Sequence, residues 1–255
     1  MYWNIRPGTT IRIFPTTGQN AITGLPYFPY LLRTGNKISQ LNHSYFVTGI
    51  GTGIGKTLVS AILCEALSAD YWKPVQAGYE EGTDRDWIKD RLTENLPIHS
   101  EVYKLKLAAS PHIAAREEGT RISVAEIIDR YYALGLDKRA LIVEGAGGLM
   151  VPLNEREFVA DLAAGLKLPV ILVSRNYLGS INHSLLTAAA CKQRGIPVAG
   201  WIFNDQYLHY EEEIARWSGL PKIFSVPHLD KPGKEAIFNL AQQLRHAFQS
   251  LQDPI

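Results

Sequence analysis

The 255-residue chain carries 26 Lys and Arg against 25 Asp and Glu, a net charge of +1, so its charge balance gives it no general attraction to nucleic acid. Its 46% hydrophobic residues match a folded soluble domain, and no apolar run approaches the roughly 20 residues of a membrane span. The length fits one domain, or one domain with an appendage, and the two cysteines, Cys64 and Cys191, lie in apolar helical patterns that suit buried free thiols in a reducing, cytoplasmic setting rather than a disulfide framework or metal cluster.

The first forty residues stand apart. They hold Arg6, Arg12, Arg33 and Lys37, no acidic residue, and four prolines that break any helical period. They lack the long apolar stretch of a secretory signal. Residues 1–41 are therefore expected to be a disordered or weakly docked tail, or sequence read through from an upstream start. Residues 42–255 are expected to form a single catalytic domain.

The first strand is expected over 44–48 and the first helix over 56–68. Between them runs Gly49-Ile50-Gly51-Thr52-Gly53-Ile54-Gly55-Lys56-Thr57. Glycines free the backbone to turn N–H groups around an anion, and the helix start adds its positive dipole end. Lys56 can reach β- and γ-phosphates and Thr57 can hold Mg²⁺. This is a nucleoside triphosphate loop, with Gly51, Thr52, Gly53, Ile54 and Gly55 as its cradle. It is one residue longer than the usual spacing, because Ile50 stands where the first glycine belongs and Gly49 lies one position back.

A second strand, 71–75, contains Lys73, costly to bury without an anion. Lys73 is read as a second phosphate ligand facing Lys56. Thr83 or Asp84 caps a helix over 84–92, and Asp84 is a candidate Mg²⁺ ligand. Ser110-Pro111-His112 opens a helix over 113–118, with Ser110 as N-cap and Pro111 at the first helical position. A helix over 124–134 precedes a strand over 140–144 that ends on Glu144 and runs into Gly145-Ala146-Gly147-Gly148. An acidic residue there suits the carboxylate that supports the metal in triphosphate-binding folds.

A helix over 159–166 and a strand over 170–174 follow. Leu178-Gly179-Ser180-Ile181-Asn182 then starts a helix over 181–194, and its free N–H groups can bind a carboxylate. The strand over 198–204 ends on Asn204, whose amide suits an adenine edge. A helix over 211–217, a strand over 223–226 and a helix over 234–251 complete the chain. Several strands are unbroken apolar runs, as in a parallel sheet buried on both faces. The alternation predicts a three-layer α/β fold with a mostly parallel central sheet flanked by helices.

Taken together these blocks resemble dethiobiotin synthetases, ATP-dependent enzymes of biotin synthesis. The blocks are 45–57, Lys73-Pro74-Val75-Gln76-Ala77-Gly78, Thr83-Asp84, Ser110-Pro111-His112, Val143 to Gly148, 169–173, 178–183 and 200–205. They span essentially all of 44–250, and the long phosphate loop is that family's own form. The resemblance implies a reaction of 7,8-diaminononanoate, CO₂ and MgATP. A carbamate forms on one amine, its oxygen takes the γ-phosphoryl group, and the other amine closes the urea ring. It implies that Lys56, Lys73 and Thr52 are catalytic and that Thr57, Asp84 and Glu144 hold Mg²⁺. Gly147, Asn204 and Pro227 join the nucleotide site. Lys73, Ala77 and the Gly179, Ser180, Ile181, Asn182 helix start bind substrate, the helix start coming from the partner of a homodimer.

The chain departs from that pattern in three places. Many relatives carry an acidic residue at Gly53 and a hydroxyl at Ala77. They also place a tyrosine after the Asn204-Asp205 pair, where Tyr207 and Tyr210 both qualify. Two rival enzyme classes fit less well. A partition-type ATPase would carry a second lysine inside the loop, and an amide-forming ligase on a large cofactor acid usually carries an appended amidotransferase domain. A degenerate scaffold would not be expected to keep Lys56, Thr57, Lys73 and Glu144.

Overall fold

A computed structural model describes residues 44–135 and 139–250, so the expectations for 1–41 lie outside the described residues. The chain opens with β1 (Tyr45–Gly49), α1 (Lys56–Leu67), β2 (Asp70–Trp72), β3 (Val75–Ala77) and α2 (Asp84–Lys89). The middle holds β4 (Ile98–His99), β5 (Tyr103–Leu105), α3 (Pro111–Glu117), α4 (Val124–Ala133), β6 (Leu141–Glu144) and α5 (Val159–Leu166). The last part is β7 (Val170–Arg175), α6 (Ser180–Gln193), β8 (Val198–Asn204), α7 (Glu211–Ser218), β9 (Lys222–Val226) and α8 (Lys234–Ser250).

Seven strands form one sheet in the order β4-β2-β6-β1-β7-β8-β9, and every pairing in it is parallel. The apolar runs are explained by what each face meets. Phe46, Val143, Leu172 and Phe203 face a core shared with α3 to α7, which includes Ile127, Leu162 and Ile214. Val47, Ile142, Ile171 and Ile202 face the opposite core, with Ile62 and Cys64 of α1 and Leu244 of α8. Side chains alternate along each strand, so burying both faces removes any polar alternation. Cys64 and Cys191 are both free and buried.

β1 lies between β6 and β7. After β1 the chain moves to β2 on one side, whereas after β6 it crosses to β7 on the other. Parallel sheets bind ligands at the carboxyl edge of such a reversal point. The phosphate loop leaves β1 there.

The structure corrects the expected strand over 71–75. The chain leaves the main sheet at Lys73-Pro74, and β3 pairs with β5 in a separate two-stranded sheet. Proline has no N–H for a ladder and disfavours helical φ/ψ before it, so the strand cannot run on through Pro74. The Pro74 carbonyl instead accepts from Val102 N at 2.9 Å and Tyr103 N at 3.0 Å. β4 and β5, two and three residues long, have no counterpart in the sequence reading. The remaining elements keep their order, with ends moved by a few residues.

Candidate active site

The loop after β1 is held from both sides. An added Cβ on Gly49 would come within 2.1 Å of the Val173 carbonyl on β7, so only glycine allows the two strands to close there. This gives the displaced glycine of the loop its physical reason. Ile50 packs as a half-buried apolar residue against both cores. At the far end Gly55 takes φ +92°, and a Cβ there would meet the Asn204 amide at 2.1 Å. The Asn204 amide donates to the Ile54 carbonyl at 3.0 Å, tying the end of β8 to the loop. Ile54 itself is a core residue, so it can serve a ligand only through its backbone. Thr52 and Gly53 are exposed at the tip.

Lys56 is only 6% exposed and donates to the Gly51 carbonyl at 2.8 Å. Burial pulls its ammonium down to about 8; Glu144 and Asp84 partly oppose this and Lys73 adds to it. A phosphate beside it would favour the charged form.

Four predicted residues converge next to it. Thr57 Oγ1 lies 2.6 Å from Asp84 Oδ1 and 3.0 Å from Glu144 Oε1, so its hydroxyl proton has two carboxylates in reach. Lys73 Nζ donates to Asp84 Oδ2 and, at 3.2 Å, to Glu144 Oε1. Burial lowers the Lys73 ammonium, but the two carboxylates outweigh it and hold it above its usual range. Asp84 is raised by burial, yet Lys73, Thr57 and Lys56 bring it below the usual carboxylate range.

Local structure delivers each group. Thr83 rather than Asp84 caps α2: its hydroxyl accepts from Asp86 N at 3.0 Å, in a capping box with Asp86. Asp84, at the first helical position, is thereby free to face Thr57 and Lys73. The break at Pro74 places Lys73 at the carboxyl edge of β2. Glu144, the last residue of β6, is 1% exposed. Gly147 and Gly148 fold back over the phosphate loop, and Leu149 N donates to the Gly49 carbonyl at 3.1 Å.

Two carboxylates and a hydroxyl are a hard-oxygen set that suits Mg²⁺, which keeps waters and phosphate oxygens for its remaining positions. Among the described residues no cluster of three or more His, Cys, Asp or Glu side chains offers a denser cation site.

The other predicted substrate residues sit on β3 and at the start of α6. Ala77, in β3, lines a depression with Gly78, Lys106 and Leu107. The Gly179–Asn182 turn forms a second corner, where Leu178 is 93% exposed and Gly179 and Asn182 are exposed. Ser180 there is buried and bonds Tyr210 OH at 2.7 Å, and Tyr210 also donates to the Tyr177 carbonyl at 2.9 Å. Tyr210 is thus occupied in holding the helix start, while Tyr207 is 48% exposed. Tyr207 shares a cavity of about 520 Å³ with Arg175, Asp205 and His228, at the ends of β7, β8 and β9. Pro227 stands beside His228, just past β9. Ser110 precedes α3 as expected, but its hydroxyl meets His112 Nδ1 at 3.0 Å rather than a backbone N–H.

The sequence reading missed Tyr71. Its buried hydroxyl donates to Glu144 Oε2 at 3.0 Å, although in sequence it is only one more residue of an apolar strand.

Residues 43–236 match a family model described as an AAA domain. The ATP-dependent dethiobiotin synthetase of Cytophaga hutchinsonii is 48% identical over 202 residues, covering 78% of this chain and 96% of that protein. The chain belongs to the dethiobiotin synthetase family. The Brucella ovis dethiobiotin synthetase is 41% identical over 211 residues, 82% of this chain and 93% of its own. Among solved structures, the MinC:MinD complex of Aquifex aeolicus aligns with a TM-score of 0.51 at 12% identity, over 84% of this chain and 97% of its own. MinD of Pyrococcus horikoshii gives 0.50 at 14% identity, over 84% and 99%. These two share this chain's fold. Within the family, the convergence of Thr57, Lys73, Asp84 and Glu144 on one point is the feature that bears on chemistry.

Proposed function

We propose that the protein makes dethiobiotin from 7,8-diaminononanoate, CO₂ and ATP, releasing ADP and phosphate. One amine adds CO₂, the carbamate oxygen takes the γ-phosphoryl group, and the second amine closes on the carbamoyl carbon as phosphate leaves. The observation that carries this reading is the pair of lysines beside two carboxylates at the carboxyl edge of the sheet, in a chain 48% identical to a curated synthetase.

Phosphoryl transfer asks a protein for position and charge rather than a covalent partner. The loop backbone from Gly51 to Gly55 cradles the phosphates, and Lys56 exchanges its Gly51 carbonyl for phosphate oxygens. Lys73 and the exposed Thr52 face the transferring group and the carbamate. Asn204 and Pro227 border the base, which enters the cavity by Asp205 and His228. Thr57, Asp84 and Glu144 hold Mg²⁺, and Gly147 closes over the loop. The metal, when bound, neutralises phosphate charge.

Ala77 and the turn Gly179, Ser180, Ile181 and Asn182, exposed at Gly179 and Asn182, contact the diamine acid, the turn reaching it from the partner in a homodimer. Tyr207 is the tyrosine free to join them. The proposed setting is the cytoplasm and the proposed assembly a homodimer; among the described residues no helix is long and apolar enough to cross a membrane. Sedimentation at micromolar concentration tests the dimer. The reaction is tested by phosphate release with the diamine, bicarbonate or Mg²⁺ omitted in turn. Each omission is expected to abolish release, and release that ignores the diamine would sink the proposal.

A further inference from the structure

Glu144 has two carboxylate oxygens, and the structure gives them to different partners. Oε1 faces the site, 3.0 Å from Thr57 Oγ1 and 3.2 Å from Lys73 Nζ. Oε2 faces away and accepts from the hydroxyl of Tyr71 at 3.0 Å. Register makes the contact: β2 pairs parallel with β6, and Tyr71 stands opposite Ile142. Glu144 lies two residues further along, roughly 6.6 Å of strand, about the reach of a tyrosine side chain leaning along its strand. The Tyr71 ring is fully buried in the core shared with α1, so the hydroxyl has no water to turn to.

The terminal torsion of a glutamate is broad and nearly two-fold, so a carboxylate held through one oxygen can rotate. Held through both, it presents one oxygen in one direction. We infer that Tyr71 is a positioning residue for Glu144, fixing the carboxylate plane and reserving Oε1 for the metal. This rests on the proposed metal role of Thr57, Asp84 and Glu144. It adds a residue outside both the phosphate loop and the predicted set.

The test is Tyr71→Phe in the full chain, an exchange that keeps the ring and removes only the donor. ADP affinity is measured by calorimetry with and without Mg²⁺. Binding without metal is expected to match the parent protein within about twofold. The gain in affinity on adding Mg²⁺ is expected to shrink roughly tenfold, the scale of a lost hydrogen bond to a charged group. Half-saturating Mg²⁺ for turnover should rise by a similar factor while KM for the diamine stays put. In a Glu144→Gln background the same exchange should change the Mg²⁺ gain less than twofold, since coupled partners do not add.

An unchanged Mg²⁺ gain in Tyr71→Phe overturns the inference. So does an equal loss of ADP binding with and without metal, which would make Tyr71 merely structural. If the parent protein shows no Mg²⁺ gain at all, it is the metal reading that fails. Should the phenylalanine variant not fold, Tyr71→Met fills the space flexibly without a donor and carries the same expectations.

Discussion

Lys56 and Lys73 are both buried ammonium groups, yet their surroundings treat them in opposite ways. Lys56, whose hydrogen bond runs to a backbone carbonyl, is pulled down to about 8 by burial, whereas carboxylates hold Lys73 up. A polyanion favours charged Lys56, so nucleotide binding raises its pKa and takes up a proton once the free protein has begun to lose it. Affinity is then full below about pH 8 and falls as pH rises through that value, by up to about tenfold per unit. Calorimetry of ADP binding in buffers of different ionisation heat, from pH 7 to 9, reads both effects; a flat profile would contradict them. Lys73→Ala removes a preorganised donor and leaves Asp84 and Glu144 without their shared cation. A fall of about 10²–10³ in kcat is expected from the donor alone. A near-normal rate would mean that Lys73 does not face the transferring group.

Among the elements, β1 and β7 meet tightly at Gly49. Gly49→Ala would put a methyl group into the Val173 carbonyl, a backbone atom that cannot swing away. The strands must part where the phosphate loop begins, with a stability loss expected at about 1–3 kcal/mol and a visibly lower Tm. An alanine variant as stable as the parent would show that this edge has slack. The same scale shows what sequence could and could not disclose. The phosphate loop, Glu144 and the order of strands and helices were legible because glycine spacing and unbroken apolar runs are local signals. The break at Lys73-Pro74 was signalled by Pro74 but hidden inside an apolar run. β4 and β5 are too short for any period to register. Thr83 and Asp84 were equivalent caps until Asp86 completed the box with Thr83. Tyr71 was illegible because its meaning lies in a carboxylate 73 positions later in the chain.

Across the whole molecule, the carboxyl edge of the sheet gathers the phosphate loop, Lys73, Glu144 and Asn204, and Tyr207 lines the cavity at the ends of β7, β8 and β9 on that same edge. The placement of Lys73 also bears on the order in which the site fills. An ammonium tethered between Asp84 and Glu144 competes with a free divalent cation at an effective concentration that the cation cannot match in dilute solution. Free Mg²⁺ should therefore bind the nucleotide-free protein weakly, with millimolar or poorer half-saturation by calorimetry, and Lys73→Ala should tighten that binding. Tight uptake of the free ion by the parent protein would refute this. A metal that arrives already chelated by a triphosphate brings with it the anion that draws Lys73 aside. On the proposed metal role, the lysine would act as a placeholder: metal and nucleotide would enter as one passenger, and stray ions would be turned away.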